Sequence, residues 1–229
     1  MASACYSEVV ERLSDIVEML QQSPQLPDVV AELMDVLKAE TTRRRKFYEE
    51  MNEDMKAEFI GGEVVLHSPA RNVHLIFSGY LCKLLSTWVD DRKLGEVKAE
   101  KCLCVFPRND YEPAIVFFTP EKAVKFDRNT MKFPVPEFVV EVLSDSTEKH
   151  DRGVKFADYE AHGVREYWIV DAEKEIVEQY VIRNKRFALA LKSGSGEIAS
   201  EVIEGFRIPI RAIFDAAENR AAVRVLIHR

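Results

Sequence analysis

The stretch FVVEVLS, residues 138–144, restricts the architectures open to this chain more than any other. Five apolar residues surround a single acid, Glu141. The run is β-branched and aromatic. Pro136 precedes it, and Ser144-Asp145-Ser146 closes it. Such a run reads as a strand covered on both faces, which requires a layered domain. An ionised carboxylate in that place costs several kcal/mol unless something pairs with it. Glu141 therefore needs a basic side chain, a proton or a metal ion.

The neighbouring segments supply the layers. Strand patterns occupy 96–106, 113–118, 165–171, 175–182 and 187–193, and residues 148–161 read as a helix closed by Gly163. EFIGGEVVLHS (58–68) reads as a β-hairpin about Gly61-Gly62. Residues 72–93 read as an amphipathic helix that buries Val73, Phe77, Tyr80, Leu81, Leu84, Leu85 and Trp88. Upstream, Val9, Val10, Leu13, Ile16, Val17 and Leu20 recur at helical spacing. SPQLPD then interrupts, and Val29, Val30, Leu33, Met34, Val36 and Leu37 resume the pattern. The predicted fold is α+β, an α/β sandwich around a mixed β-sheet flanked by helices. A helical hairpin over residues 1–44, a possible oligomerisation element, precedes a main domain over 45–229.

Composition narrows the setting. With 47 % apolar residues and 229 positions, a sizeable core can be built. No apolar run has the length of a membrane span, and Glu8, Glu11 and Asp15 fall where a signal peptide would be apolar. These features predict a cytoplasmic protein with no membrane partner. Cys102 and Cys104 form C-x-C without a second pair at zinc-ligand spacing, so Cys5, Cys82, Cys102 and Cys104 read as reduced thiols. The net charge of −7 disfavours nucleic acid unless Lys and Arg cluster locally. TTRRRKF (41–47) and KHDRGVK (149–155) are such clusters, each of which also suits a solvated helix face.

Asp151, Lys155 and Tyr159 recur every four residues and so line one face of the helix that follows the Glu141 strand. A short loop folds that helix back over the sheet, so Lys155 can reach Glu141. One reading is an ion pair that satisfies a buried charge. The other is a metal-dependent phosphodiester hydrolase, in which Glu141 holds Mg²⁺ and Lys155 orients a water or stabilises developing charge. The second reading wants at least two acidic ligands. On the 111–118 strand, Glu112 and Ala114 share a face.

Several segments resemble, in order, the Uma-two family of restriction endonucleases within the PD-(D/E)XK nuclease superfamily. They are EFIGGEVVLHSPARNVH, YEPAIVFF, PEFVVEVLSDSTEKHDRGVKFADYEAHGVREYWIVDAEKEIVEQYVI and the closing EGFRIPIRAIF. The resemblance covers roughly residues 45–215. It implies a restriction-endonuclease-like fold, Mg²⁺- or Mn²⁺-dependent hydrolysis of DNA and DNA as partner; a homodimer or higher oligomer is a separate expectation, because a second copy could complete a basic groove and symmetric dimers suit two-stranded cleavage. The resemblance makes Glu141 the acid of the (D/E)XK element. Leu143 stands where the lysine would, and Lys155 is the substitute on the next helix. Glu63 and His74 match positions that the family also tends to fill. The departure lies at the first acid. The family pattern is P-D, and here it is Pro113-Ala114. A methyl group cannot coordinate a metal, so position 114 is a vacated ligand site and impaired activity is implied. A deliberate Asp-to-Ala replacement and a natural loss are both open. A third account has Glu112 supply the oxygen, displaced by about 7 Å along the strand. A DNA groove would draw on Lys98, Lys149, Arg152 and Lys155.

Overall fold

The computed structural model describes residues 14–52, 54–144 and 146–228. The chain divides into two compact units, Met1–His67 and Ser68–Arg229.

The first unit carries the expected helical pair. Helix α1 covers residues 14–21 and α2 runs Leu26–Glu50. The expected helical positions Val9, Val10 and Leu13 lie outside the described residues. Pro27 sits in the first turn of α2, where its missing N–H costs nothing. The helix is continuous through residue 44 and ends at Met51. Strands β1 (Ala57–Ile60) and β2 (Glu63–Leu66) form the predicted hairpin, with Ile60 opposite Glu63. Gly61 and Gly62 have φ of 59° and 88°, the two positive values that a tight hairpin turn demands. The turn also packs on α2. A Cβ on Gly62 would lie 2.8 Å from atoms of Glu40 and Arg43, and Arg43 Nε donates to the Gly62 carbonyl at 2.7 Å.

The second unit is built on a six-stranded mixed sheet. In chain order its strands are β3 (Glu96–Ala99), β6 (Ile115–Phe118), β8 (Phe138–Val142), β9 (Glu166–Asp171), β10 (Ile176–Arg183) and β11 (Arg186–Ser193). The spatial order is β11-β10-β9-β8-β6-β3; β8 and β9 pair in parallel and the other neighbours are antiparallel. Shorter strands β4 (Leu103–Val105), β5 (Asp110–Tyr111) and β7 (Lys132–Phe133) make a second group centred on β4. Strands β12 (Glu197–Ala199) and β13 (Arg207–Pro209) pair near the C-terminus. The helices are α3 (Asn72–Arg92), α4 (Pro120–Ala123), α5 (Glu148–Asp151), α6 (Val154–Ala161) and α7 (Ala216–Ile227).

Alternation along the strands decides which residues face which helix. Ile115, Phe117, Phe138, Val140, Trp168 and Val170 join Phe77, Leu81, Leu84 and Leu85 of α3 in the main core. Glu141 is one residue out of phase with that set, so it points to the opposite face, where α6 packs. Below the core, the buried Glu166 carboxylate ties distant segments together. Its Oε1 accepts from Trp168 Nε1 at 2.6 Å and Gln179 Nε2 at 2.7 Å. Its Oε2 accepts from the Ser200 hydroxyl and from the backbone N–H groups of Glu201 and Val202 at 2.7–3.0 Å.

Two expected elements are broken. The 96–106 strand divides into β3 and β4 because Glu100 and Lys101 take φ of 53° and 43°. The 148–161 helix divides at Arg152-Gly153. The backbone there folds so close that a Cβ on Gly153 would sit 2.6 Å from the Lys149 carbonyl oxygen.

Candidate functional site

Strand β8 and helix α6 bring Glu141 and Lys155 together. Lys155 Nζ donates to Glu141 Oε1 at 3.0 Å, and both side chains are buried. The same ammonium lies 3.2 Å from Asp151 Oδ1, one helical turn back across the α5–α6 break. The Tyr159 hydroxyl, one turn on, also donates to Glu141 Oε1 at 3.0 Å. The lysine is thus held between two carboxylates, with the Tyr111 ring 5.8 Å away. Burial pushes the Tyr167 phenol well up, and the negative fields of Asp151 and Glu141 add to it.

Position 114 sits directly beside this cluster. Its backbone N–H donates to Glu141 Oε2 at 3.3 Å. The β6–β8 register ends at the Ile115–Val140 pair, and Ala114 is the next residue, in the bend that precedes β6. Directly opposed residues of an antiparallel pair project to the same face, with Cβ atoms roughly 5 Å apart. Continued one step past β6, that pairing would put a side chain at 114 on the face of Glu141.

Glu112 is buried in the bend between β5 and β6. That bend takes Glu112 to Ala114 out of the strand that the sequence predicts over 113–118. Burial raises the Cys104 thiol well above its ordinary range. Its contact with Cys102 and the fields of Glu141 and Glu112 act in the same direction, so both acids lie within electrostatic reach of one sulfur. His74 is buried on α3, on the stripe that carries Phe77 and Leu81. Glu63 is exposed at the start of β2 in the first unit.

The donor set does not fit Mg²⁺. Residue 114 offers no side-chain oxygen, and Glu141 already accepts from a lysine, a phenol and an amide. Among the described residues no three His, Cys, Asp or Glu side chains converge as a metal site.

Sequence reasoning did not find the neighbouring polar cluster around Asp158. Asp158 Oδ2 accepts from Asn109 Nδ2 at 2.7 Å and from the Tyr111 hydroxyl at 2.8 Å, while Oδ1 lies 2.5 Å from His162 Nδ1. The available signal was the i,i+4 spacing of Asp158 on α6 and His162 just past its end. Of the four cations expected to line a groove, three are engaged by carboxylates. Lys155 meets Glu141 and Lys98 meets Glu96 at 2.5 Å, while Arg152 makes a two-pronged contact with Glu178 at 2.9 and 3.0 Å. Lys149 is exposed.

A family model described as "Uma2: Putative restriction endonuclease" matches residues 45–211. The chain belongs to the Uma2 family. No curated protein matches the sequence. The Uma2 chain is similar to a solved structure described as a "putative nuclease belonging to DUF820" from Anabaena variabilis ATCC 29413. The TM-score is 0.63 at 14 % identity, with 73 % of this chain and 94 % of that chain covered. At that identity the likeness concerns the fold. The family carries the description "putative restriction endonuclease", and the solved structure shares the fold. No helix among the described residues is long and apolar enough to cross a membrane.

Proposed function

We propose that this Uma2 protein is a DNA-directed, restriction-type nuclease scaffold whose divalent-metal site is disabled at Ala114. One observation carries the reading: the N–H of residue 114, the residue just before β6, is bonded to the Glu141 carboxylate. An aspartate at 114 would set a second carboxylate on the same face, the pair of oxygen donors that Mg²⁺ or Mn²⁺ needs before it can act on a phosphodiester. With alanine, the neighbourhood retains Glu141 and the Lys155 ammonium but lacks the partner ligand. Lys155 then serves chiefly to neutralise Glu141 and Asp151. Glu112 is favoured less as a substitute, because the contact with the Glu141 carboxylate in this bend is made by the N–H of residue 114, two positions further on.

The test is Ala114→Asp. Mn²⁺ and Mg²⁺ binding is measured by calorimetry and plasmid nicking by gel. We expect the unaltered chain to bind neither ion at millimolar concentration and to leave plasmid intact. Ala114→Asp gains both activities, and adding Glu141→Gln removes them again. Metal-dependent nicking by the unaltered chain that Glu141→Gln abolishes would overturn the proposal. So would an Ala114→Asp variant that folds but gains neither metal nor nicking.

A further inference from the structure

Helix α6 reaches the candidate site by two routes. Lys155 and Tyr159, four residues apart, hold the Glu141 carboxylate of β8 directly. Asp158, on the adjoining stripe of the helix, holds the chain that leads into position 114. Its Oδ2 accepts from Asn109 Nδ2 at 2.7 Å and from the Tyr111 hydroxyl at 2.8 Å, and all three residues are buried. Tyr111 ends β5, and only Glu112 and Pro113 separate it from Ala114. The two routes also touch. The Tyr159 ring, whose hydroxyl is on Glu141, meets the Tyr111 ring, whose hydroxyl is on Asp158, edge to face at 5.4 Å.

The bend itself is lightly tied to Glu141. Pro113 has no N–H to donate. The Ala114 N–H reaches Glu141 Oε2 at 3.3 Å, and its carbonyl accepts from the Glu100 N–H at 3.2 Å. A displacement of roughly 0.3 Å would carry the first of these beyond hydrogen-bonding distance. The grip on Asn109 and Tyr111 is firmer, because an ionised acceptor roughly doubles the strength of a hydrogen bond. His162 completes it: its Nδ1 lies 2.5 Å from Asp158 Oδ1, so the carboxylate keeps its other oxygen turned to β5. We propose that Asp158 is a positioning residue, which fixes the 112–114 bend against Glu141 so that one helix sets both halves of the candidate ligand pair. The chemical purpose of this role rests on the proposed nuclease reading; its mechanics rest on the contacts alone.

Amide hydrogen exchange read by NMR tests the mechanics with no metal present. Asp158→Leu removes the shared acceptor, and Tyr111→Phe removes one donor while keeping the ring. Each should speed exchange of the Ala114 N–H by about tenfold or more and leave the amides of β9 and β10 within about twofold of the parent. Asp158→Asn still offers one oxygen to both donors and should restore slow exchange at Ala114. Equal acceleration across the whole second unit, the mark of a group that only adds stability, overturns the proposal. An Ala114 amide that none of these changes moves overturns it too. If Asp158→Leu does not fold, Tyr111→Phe decides by the same criterion. In the Ala114→Asp background the same two substitutions should weaken Mn²⁺ binding by about tenfold, with Asp158→Asn again restoring it. A metal affinity indifferent to them overturns the positioning role. An Ala114→Asp chain that takes no metal at all counts against the nuclease reading instead, and the exchange result then decides the role of Asp158 alone.

Discussion

Replacing Lys155 with methionine keeps the unbranched apolar stem of the side chain and removes its charge. The ammonium lies 3.0 Å from Glu141 Oε1 and 3.2 Å from Asp151 Oδ1, with the three side chains 3 %, 7 % and 1 % exposed. Water cannot take over as partner at that depth. Breaking a buried ion pair from one side costs about 3–5 kcal/mol, because the remaining charge keeps its desolvation penalty. Here two carboxylates are left behind. Glu141 retains Tyr159 and the Ala114 N–H, which places the expectation for Lys155→Met at about 4 kcal/mol within that range. Glu141→Gln alone should cost less, since the one amide oxygen can still accept from Lys155 and Tyr159 and only the longer contact with the Ala114 N–H is lost. In the double variant the losses should fall short of additive by about 2 kcal/mol, as expected for groups in direct contact. Urea unfolding followed by Trp fluorescence reads the second unit directly, because Trp88 and Trp168 are the chain's two tryptophans. A Lys155→Met chain within 1 kcal/mol of the parent, or strict additivity in the double variant, would refute the claim that this ammonium holds the two acids in place.

Two further outcomes follow from other groups. Burial alone would raise the Glu178 carboxyl, but hydrogen bonds from Arg152, Tyr180 and Lys192 outweigh it and hold the group down to about 2 from an ordinary 4.5. A depressed carboxyl contributes stability that is present above its unfolded value and is lost as the pH falls towards its folded one. The stability gap between the parent and Glu178→Gln should therefore be widest near neutrality and close between about pH 5 and pH 2; a gap constant across that window contradicts the assignment. Cys104, buried and with its thiol pushed well up, should resist iodoacetamide at pH 8 in the folded chain and react in urea, as peptide mapping by mass spectrometry would show. Labelling of folded Cys104 at the rate of an exposed thiol would contradict it.

Where periodicity and burial agreed, the sequence was readable. The β-branched run at 138–142, the helix at 72–92 and the Gly-Gly hairpin stand where their patterns place them, because each is long or marked by a residue with one conformational use. The meeting of Lys155 with Glu141 was also legible, since a four-residue spacing and a short loop leave little freedom. The breaks at Glu100-Lys101 and Gly153 were not. They come from left-handed non-glycine residues and from a close backbone approach, and neither leaves a pattern in hydrophobicity. The C-terminal helix was hidden for a different reason. Its apolar residues are mostly alanine and valine, and its clearest mark is the cap at Asp215, which accepts from the N–H groups of Ala217 and Glu218. The Asp158 cluster draws on β5, its preceding loop and α6, a convergence that depends on tertiary folding.

The donors gathered by Glu166 have a consequence for synthesis. Strand β9 is formed by residue 171, yet three of the groups that satisfy its buried acid arrive only with residues 200–202. Trp88 Nε1 likewise waits for the Glu204 carbonyl, and the Tyr80 carbonyl waits for Asn219. On a ribosome moving at about 5–20 residues per second, the second unit therefore spends several seconds with its sheet translated and its last bonds unmade. Nascent chains arrested before residue 200 should remain sensitive to protease across α3 and β9, and release of the last stretch should close both at once.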